Sequence, residues 1–195
     1  MIILIGGVGY AGKTLMAQKL LEKYKIPYLS IDDLKMGIYR SDPDCGFHPE
    51  SDAETGGFDL IANKLWGILK GIIMTNIENK QHLIIEGCYL FPEKIKELEI
   101  DERYASHIIS FYMGFSESYI KQNYLTKVRA NRSIIQYRGY EDTDTWEDYL
   151  SENAKVKKMC EDGGAKYFEI DGEYEEEIQK VYDWIDEQIK SRELL

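Results

Sequence analysis

The first fourteen residues, MIILIGGVGYAGKT, constrain the fold of this chain more than any other stretch. Ile2 to Ile5 is a continuous apolar, largely β-branched run, as expected of a strand covered on both faces. It breaks into glycines, and a helical pattern follows from Lys13 through Leu20 and Leu21. Across the junction lies Gly7-x-x-x-x-Gly12-Lys13-Thr14, a spacing that wraps the backbone around a phosphate. Glycines let the N–H groups from Gly7 through Val8, Gly9, Tyr10, Ala11 and Gly12 turn toward one anion, while the next helix points its positive end there. Lys13 is expected on the β- and γ-phosphates and Thr14 on Mg2+, which makes a nucleoside triphosphate a better fit than bare phosphate. A glycine-rich turn beside a chance lysine is the plainer alternative, and it leaves the flanking strand and helix unaccounted for.

A chain of 195 residues with 44% hydrophobic content is expected to form one domain, residues 1–195. Lys and Arg number 24 against 35 Asp and Glu, a net charge of −11 that repels nucleic acid, so an anionic ligand must be caught by local donors. Cys45, Cys88 and Cys160 are odd in number and widely spaced, which suggests neither a disulfide framework nor a zinc site. The N-terminal run is too short and lacks the basic stretch of a secretory signal, and no later run approaches the length of a membrane span. The expectation is a cytoplasmic protein without membrane or nucleic-acid partners, a monomer or homodimer acting on a small molecule.

Further strands are expected at Ile26 to Ile31, His82 to Gly87, Ala105 to Met113 and Lys166 to Asp171. Helices are expected at Phe58 to Asn79, Ser116 to about Arg132, Trp146 to about Cys160 and Tyr174 to Lys190, with Asp171 or Gly172 capping the last. Alternation of this kind describes an α/β domain with a parallel sheet between two helical layers, whose ligands sit at the carboxyl ends of the strands. The polar stretches Gly37 to Gly57 and Ser133 to Thr145 read as irregular, so mobile segments are expected near 37–57 and 129–145.

A phosphate loop after the first strand, Asp32-Asp33 after the second, Glu86-Gly87 after the third and an arginine-bearing helix after the fourth together resemble the nucleoside-monophosphate-kinase-like group of P-loop small-molecule kinases. Adenylate kinases carry Asp-Gly-Phe-Pro-Arg after the third strand. Here the stretch is Glu86-Gly87-Cys88-Tyr89-Leu90-Phe91-Pro92, and the chain looks closer to zeta-toxin-like and chloramphenicol-phosphotransferase-like kinases. The resemblance implies a P-loop NTPase fold with a five-stranded sheet in the order 2-3-1-4-5 and a small helical lid. It implies a phosphotransferase that uses ATP and Mg2+.

The candidate residues take their roles from that frame. Asp32 matches the aspartate that accepts the substrate hydroxyl proton, with Asp33 as helper or helix cap; the Asp32-x-x-Lys35 spacing favours Asp32. Glu86 stands where an acid orients the Mg2+ hydration shell, and a carboxylate after three apolar residues needs a cation nearby. Arg129 and Arg132 share a helix face and Arg138 follows, a cluster suited to phosphate oxygens and brought in by a closing lid. Arg40 is placed to meet an anionic group on the acceptor, with Tyr39 and Phe47 as pocket lining. His48, His82 and His107 are scattered and read as structural. Two alternatives stand beside this reading: a nucleotide-dependent switch, disfavoured by the lack of Asn-Lys-x-Asp and Asp-x-x-Gly motifs, and a toxin kinase acting on a nucleotide sugar.

Overall fold

A computed structural model describes residues 1–48, 57–135, 137 and 144–195. Ile2–Gly7 forms β1, and Lys13–Tyr24 forms α1 after the glycine loop. β2 (Tyr28–Ser30) runs directly into α2 (Ile31–Ser41), and α3 (Gly57–Glu78) leads to β3 (Leu83–Glu86). Next come α4 (Pro92–Glu99), the single turn α5 (Glu102–Ala105) and β4 (Ile108–Phe115). α6 (Glu117–Asn123) continues as a π-helical turn, Tyr124–Val128, and a 3-10 turn, Arg129–Asn131. The chain closes with α7 (Trp146–Gly163), β5 (Tyr167–Ile170) and α8 (Tyr174–Ser191).

All five strands are parallel, in the order β2-β3-β1-β4-β5, as the resemblance implied. β1 lies at the centre, and its side chains alternate between two cores. Ile3 and Ile5 pack with Met16, Ala17 and Leu20 of α1 and with Val181 and Ile185 of α8. Ile2 and Leu4 pack with Ile61, Leu65, Leu69 and Ile73 of α3 and with Ile95 and Leu98 of α4. Each isoleucine of β1 is fully enclosed, and burial of that kind contributes about 1.5–3 kcal/mol per side chain. The apolar run at the N-terminus is therefore the keel of a three-layer sandwich.

Several sequence expectations are corrected. The stretch from Gly37 is not irregular at its start, because α2 extends to Ser41. Ile31 is buried and Leu34 and Ile38 pack beside it, a helical stripe that Gly37 does not interrupt because it faces open space. Residues 49–56 lie outside those described. The helix expected to run from Ser116 to Arg132 as one piece changes pitch twice, at Tyr124 and Arg129. α4 and α5 fill a stretch that gave no separate signal. At the start of α8, Glu173 rather than Asp171 or Gly172 occupies the cap position; the Asp171 carboxylate instead accepts hydrogen bonds from Ser116 and Ser118. His82 takes a structural part, its Nδ1 lying 2.8 Å from the N-terminal amine.

Candidate active site

Strand register brings the candidate residues to one edge. Ser30, the last residue of β2, lies opposite Glu86 of β3, Glu86 opposite Ile5 of β1, and Gly7 opposite Met113 of β4. The carboxyl ends of β2, β3 and β1 are thus side by side in that order, and the loop from Gly7 to Thr14 leaves from β1. Gly7 (φ 127°) is pressed against the Met113 backbone so closely that a Cβ would strike its carbonyl. Gly12 (φ 84°) stands over the Tyr174 hydroxyl in the same way, and Tyr10 also has a positive φ of 60°. Both glycines are required where the loop turns.

Three of the loop carbonyls are held by named donors. Lys13, 6% exposed, donates from Nζ to the Val8 carbonyl at 2.6 Å. The Tyr149 hydroxyl of α7 donates to the Gly9 carbonyl at 2.6 Å, and that of Tyr174 of α8 donates to the Ala11 carbonyl at 3.2 Å. The Val8 N–H donates to the Met113 carbonyl at 3.1 Å. Behind the loop, α1 begins at Lys13 and presents its N-terminal turn, which favours an anion.

Thr14 donates from Oγ1 to Glu86 Oε1 at 3.2 Å. Glu86 is 3% exposed, and burial pushes its carboxyl above the ordinary range. The Lys13 ammonium and the hydroxyls of Ser30 and Thr14 pull the other way, and the charge of Asp32 adds to the upward push. Cys88, two residues on, has its thiol pushed up mainly by burial, with the Lys13 side chain opposing and Asp32 reinforcing. Glu86, Cys88, Lys13 and Asp32 therefore share one electrostatic neighbourhood.

Asp32 and Asp33 lie in the first turn of α2, and Ser30 holds the cap position, so neither aspartate caps the helix. Asp32 is half-exposed beside the site, whereas Asp33 is exposed and has no part in the electrostatics of Glu86 or Cys88. Lys35 is nearly enclosed; its Nζ donates to the Tyr89 hydroxyl at 2.8 Å and lies 3.6 Å from Asp32 Oδ1. It tethers the aspartate side of the site to the chain that follows Glu86. Arg40 is exposed in the last turn of α2. Tyr39 meets His48 edge-on at 5.1 Å, and Phe47 is buried in the core cluster on the α3 side. Arg129 and Arg132 are half-buried in the 3-10 turn after α6 and at its C-cap. Arg138 lies outside the described residues, as does most of the stretch expected to be a lid.

Among the described residues no group of three or more His, Cys, Asp or Glu side chains is placed to hold a metal ion. Mg2+ keeps waters and takes phosphate oxygens rather than an all-protein cage. The Thr14 hydroxyl and the buried Glu86 carboxylate fit such an ion, and Glu86 is the kind of buried acid that a nearby cation stabilises. No helix among the described residues is long and apolar enough to cross a membrane.

Sequence reasoning missed Tyr149, Tyr174, Tyr89 and Cys88. A tyrosine at a helix-face position looks like core, and nothing in its spacing reveals that its hydroxyl reaches a loop more than a hundred residues away.

Neither a family model nor a curated protein matches the chain in sequence. Solved structures match its fold. A gluconokinase from Sinorhizobium meliloti superposes with a TM-score of 0.53, covering 91% of this chain and 86% of its own at 12% identity. A shikimate kinase from Bacteroides thetaiotaomicron gives 0.53 over 95% and 98% at 15% identity. A sugar kinase from Janibacter sp. gives 0.51 over 95% and 94% at 12% identity. At these identities the likeness is one of fold. It agrees with the P-loop kinase resemblance, and none of the three is a zeta-toxin-like or chloramphenicol-phosphotransferase-like protein.

Proposed function

We propose that this chain is an ATP-dependent phosphotransferase that moves the γ-phosphoryl group to a hydroxyl or phosphate of a small molecule. The observation that carries the reading is the shared edge of β1, β2 and β3, where a braced phosphate loop, the Thr14–Glu86 pair and Asp32 stand together. A phosphate loop alone serves many functions; a carboxylate beside it on the neighbouring strand end is what a transfer reaction adds.

In this reading the loop N–H groups and Lys13 hold the β- and γ-phosphates, Lys13 exchanging the Val8 carbonyl for phosphate oxygen. Thr14 and Glu86 would hold Mg2+, which when bound would supply positive charge to the phosphate oxygens. Asp32 accepts the proton of the acceptor hydroxyl as its oxygen bonds to the γ-phosphorus and the bond to the β-phosphate oxygen breaks. Arg129 and Arg132, with Arg138, meet the charge on the transferring group, Arg129 also contributing to the nucleotide. Arg40 meets an anionic part of the acceptor, and Asp33 supports the first turn of α2. The Asp32-x-x-Lys35 spacing echoes the Asp-x-x-Arg of zeta-toxin-like kinases, with Lys35 in the basic place, and favours Asp32 over Asp33 as the base.

An ADP-release screen over hydroxyl-bearing metabolites, nucleosides and nucleotides tests this, with Asp32→Asn as control. At least one acceptor should raise ADP production above slow hydrolysis, and Asp32→Asn should lower that transfer about 10²–10⁴-fold. If no acceptor does so, the kinase reading is wrong. If Asp33→Asn abolishes transfer while Asp32→Asn retains it, the base has been assigned to the wrong residue.

A further inference from the structure

A loop that offers its N–H groups to an anion must turn its carbonyls away, and each carbonyl then needs a donor. The peptide between Gly9 and Tyr10 is the one most able to flip. Gly9 has open space where a side chain would be, and glycine imposes little preference of its own. A flip would aim the Gly9 carbonyl at the anion and carry the Tyr10 N–H away. One side chain holds both ends of this peptide. The Tyr149 hydroxyl donates to the Gly9 carbonyl at 2.6 Å, and its ring stacks on that of Tyr10 with centroids 6.2 Å apart and planes 14° apart.

Tyr149 is itself held firmly. It is 3% exposed, with Phe115 at 6.4 Å and Tyr124 at 5.4 Å from its ring. Burial pushes its phenol well above the ordinary range, so it stays protonated and remains a donor. Tyr124 opens the π-helical turn that leads to Arg129 and Arg132, and its hydroxyl donates at 3.1 Å to the carbonyl of Asp144, just before the Thr145 cap of α7. A π-helical turn inserts a residue into the helical register, and here Tyr124 stands at that shift, in contact with the tyrosine that holds the loop.

Resting on the phosphotransferase reading, we propose that Tyr149 is a positioning residue. Its hydroxyl keeps the Gly9–Tyr10 peptide in the phosphate-binding orientation, and its contact with Tyr124 ties that orientation to the arginine-bearing turn after α6. The loop and the arginines are then set by one buried aromatic pair rather than independently.

The test uses Tyr149→Phe, which removes one oxygen and leaves the stacked ring. Calorimetric titration with magnesium-ATP and, separately, with magnesium and inorganic triphosphate reads the phosphate site with and without a nucleoside. Losing the hydrogen bond should weaken both about tenfold, with far-UV circular dichroism unchanged. Tyr124→Leu, which removes the ring that meets Tyr149 and leaves the Tyr149 hydroxyl in place, should weaken both by a smaller factor of about three. Wild-type protein that binds neither ligand refutes the phosphotransferase reading itself. Wild-type binding with undiminished affinity in Tyr149→Phe overturns the brace, as does a loss seen with ATP but not with triphosphate. Undiminished affinity in Tyr124→Leu overturns the tie to the arginine turn.

Discussion

Replacing Glu86 with Gln separates stability from function. Glu86 is 3% exposed, and burial is the largest influence on its carboxyl, outweighing Lys13 and the hydroxyls of Ser30 and Thr14. An acid held above its ordinary value of 4.5 binds its proton more tightly in the folded protein than in the unfolded chain. Its contribution to stability is therefore whole below pH 4.5 and declines as the pH rises toward the folded value. Each unit of upward displacement costs about 1.4 kcal/mol at neutral pH. Gln keeps an acceptor oxygen for Thr14 and Ser30 but gives up the attraction to Lys13, so the gain is of order 1 kcal/mol at pH 7, about 2–4 °C in Tm. Melts of both proteins at pH 4, 5, 6 and 7 should show the advantage of Glu86→Gln growing with pH and then levelling. Phosphoryl transfer should fall about 10–100-fold, as expected when a group that orients a metal's waters is lost. A variant less stable than wild type at pH 7, with a difference that does not change with pH, would refute the reasoning.

Two further outcomes concern side chains given no part in the transfer step itself. Tyr112 is 1% exposed and its hydroxyl has no hydrogen-bond partner among the described residues, so Tyr112→Phe should raise the unfolding free energy by about 1 kcal/mol in urea melts. Burial raises the thiols of Cys88 and Cys160, the latter to about 12, so N-ethylmaleimide at pH 7.5 should alkylate Cys45 at least about tenfold faster than either, read by peptide mass spectrometry.

The phosphate loop was legible because its chemistry is local: strand, glycines, lysine and helix are contiguous. The sheet order was not readable from periodicity and came from the resemblance, since pairing of β1 with β3 and β4 depends on crossovers rather than on adjacent residues. Asp32 and Glu86 were visible as acids at strand ends, but not that Ser30 and Glu86 are register partners. The extent of α2 was hidden by Gly37 and the neighbouring acids, which resemble a loop when the packing of Leu34 and Ile38 is unknown. The pitch changes after α6 were invisible because a π turn and an α turn share apolar periodicity over so few residues. The donors on the loop were hidden most deeply, because a tyrosine hydroxyl carries no sequence mark of its acceptor.

The same side chains explain how a protein of net charge −11 can present an anion site. At a Debye length of roughly 8 Å, the many exposed carboxylates act weakly on a site whose cations are enclosed. Lys13 at 6% exposure and Lys35 at 8% are the buried lysines of the described residues, and both border this edge. The field of Lys13 reaches the buried Glu86 through protein rather than water, where charge counts for more. The loop N–H groups add fixed partial positive charge with no counter-ion, provided their carbonyls stay turned away. Tyr149 and Tyr174 secure two of those carbonyls without adding charge, whereas Lys13 secures the third, a bond that the proposed reading has it exchange for phosphate. In the proposed reading, binding would expose one loop carbonyl and leave the neutral braces in place, so that Lys13 could change partners while the loop keeps its shape.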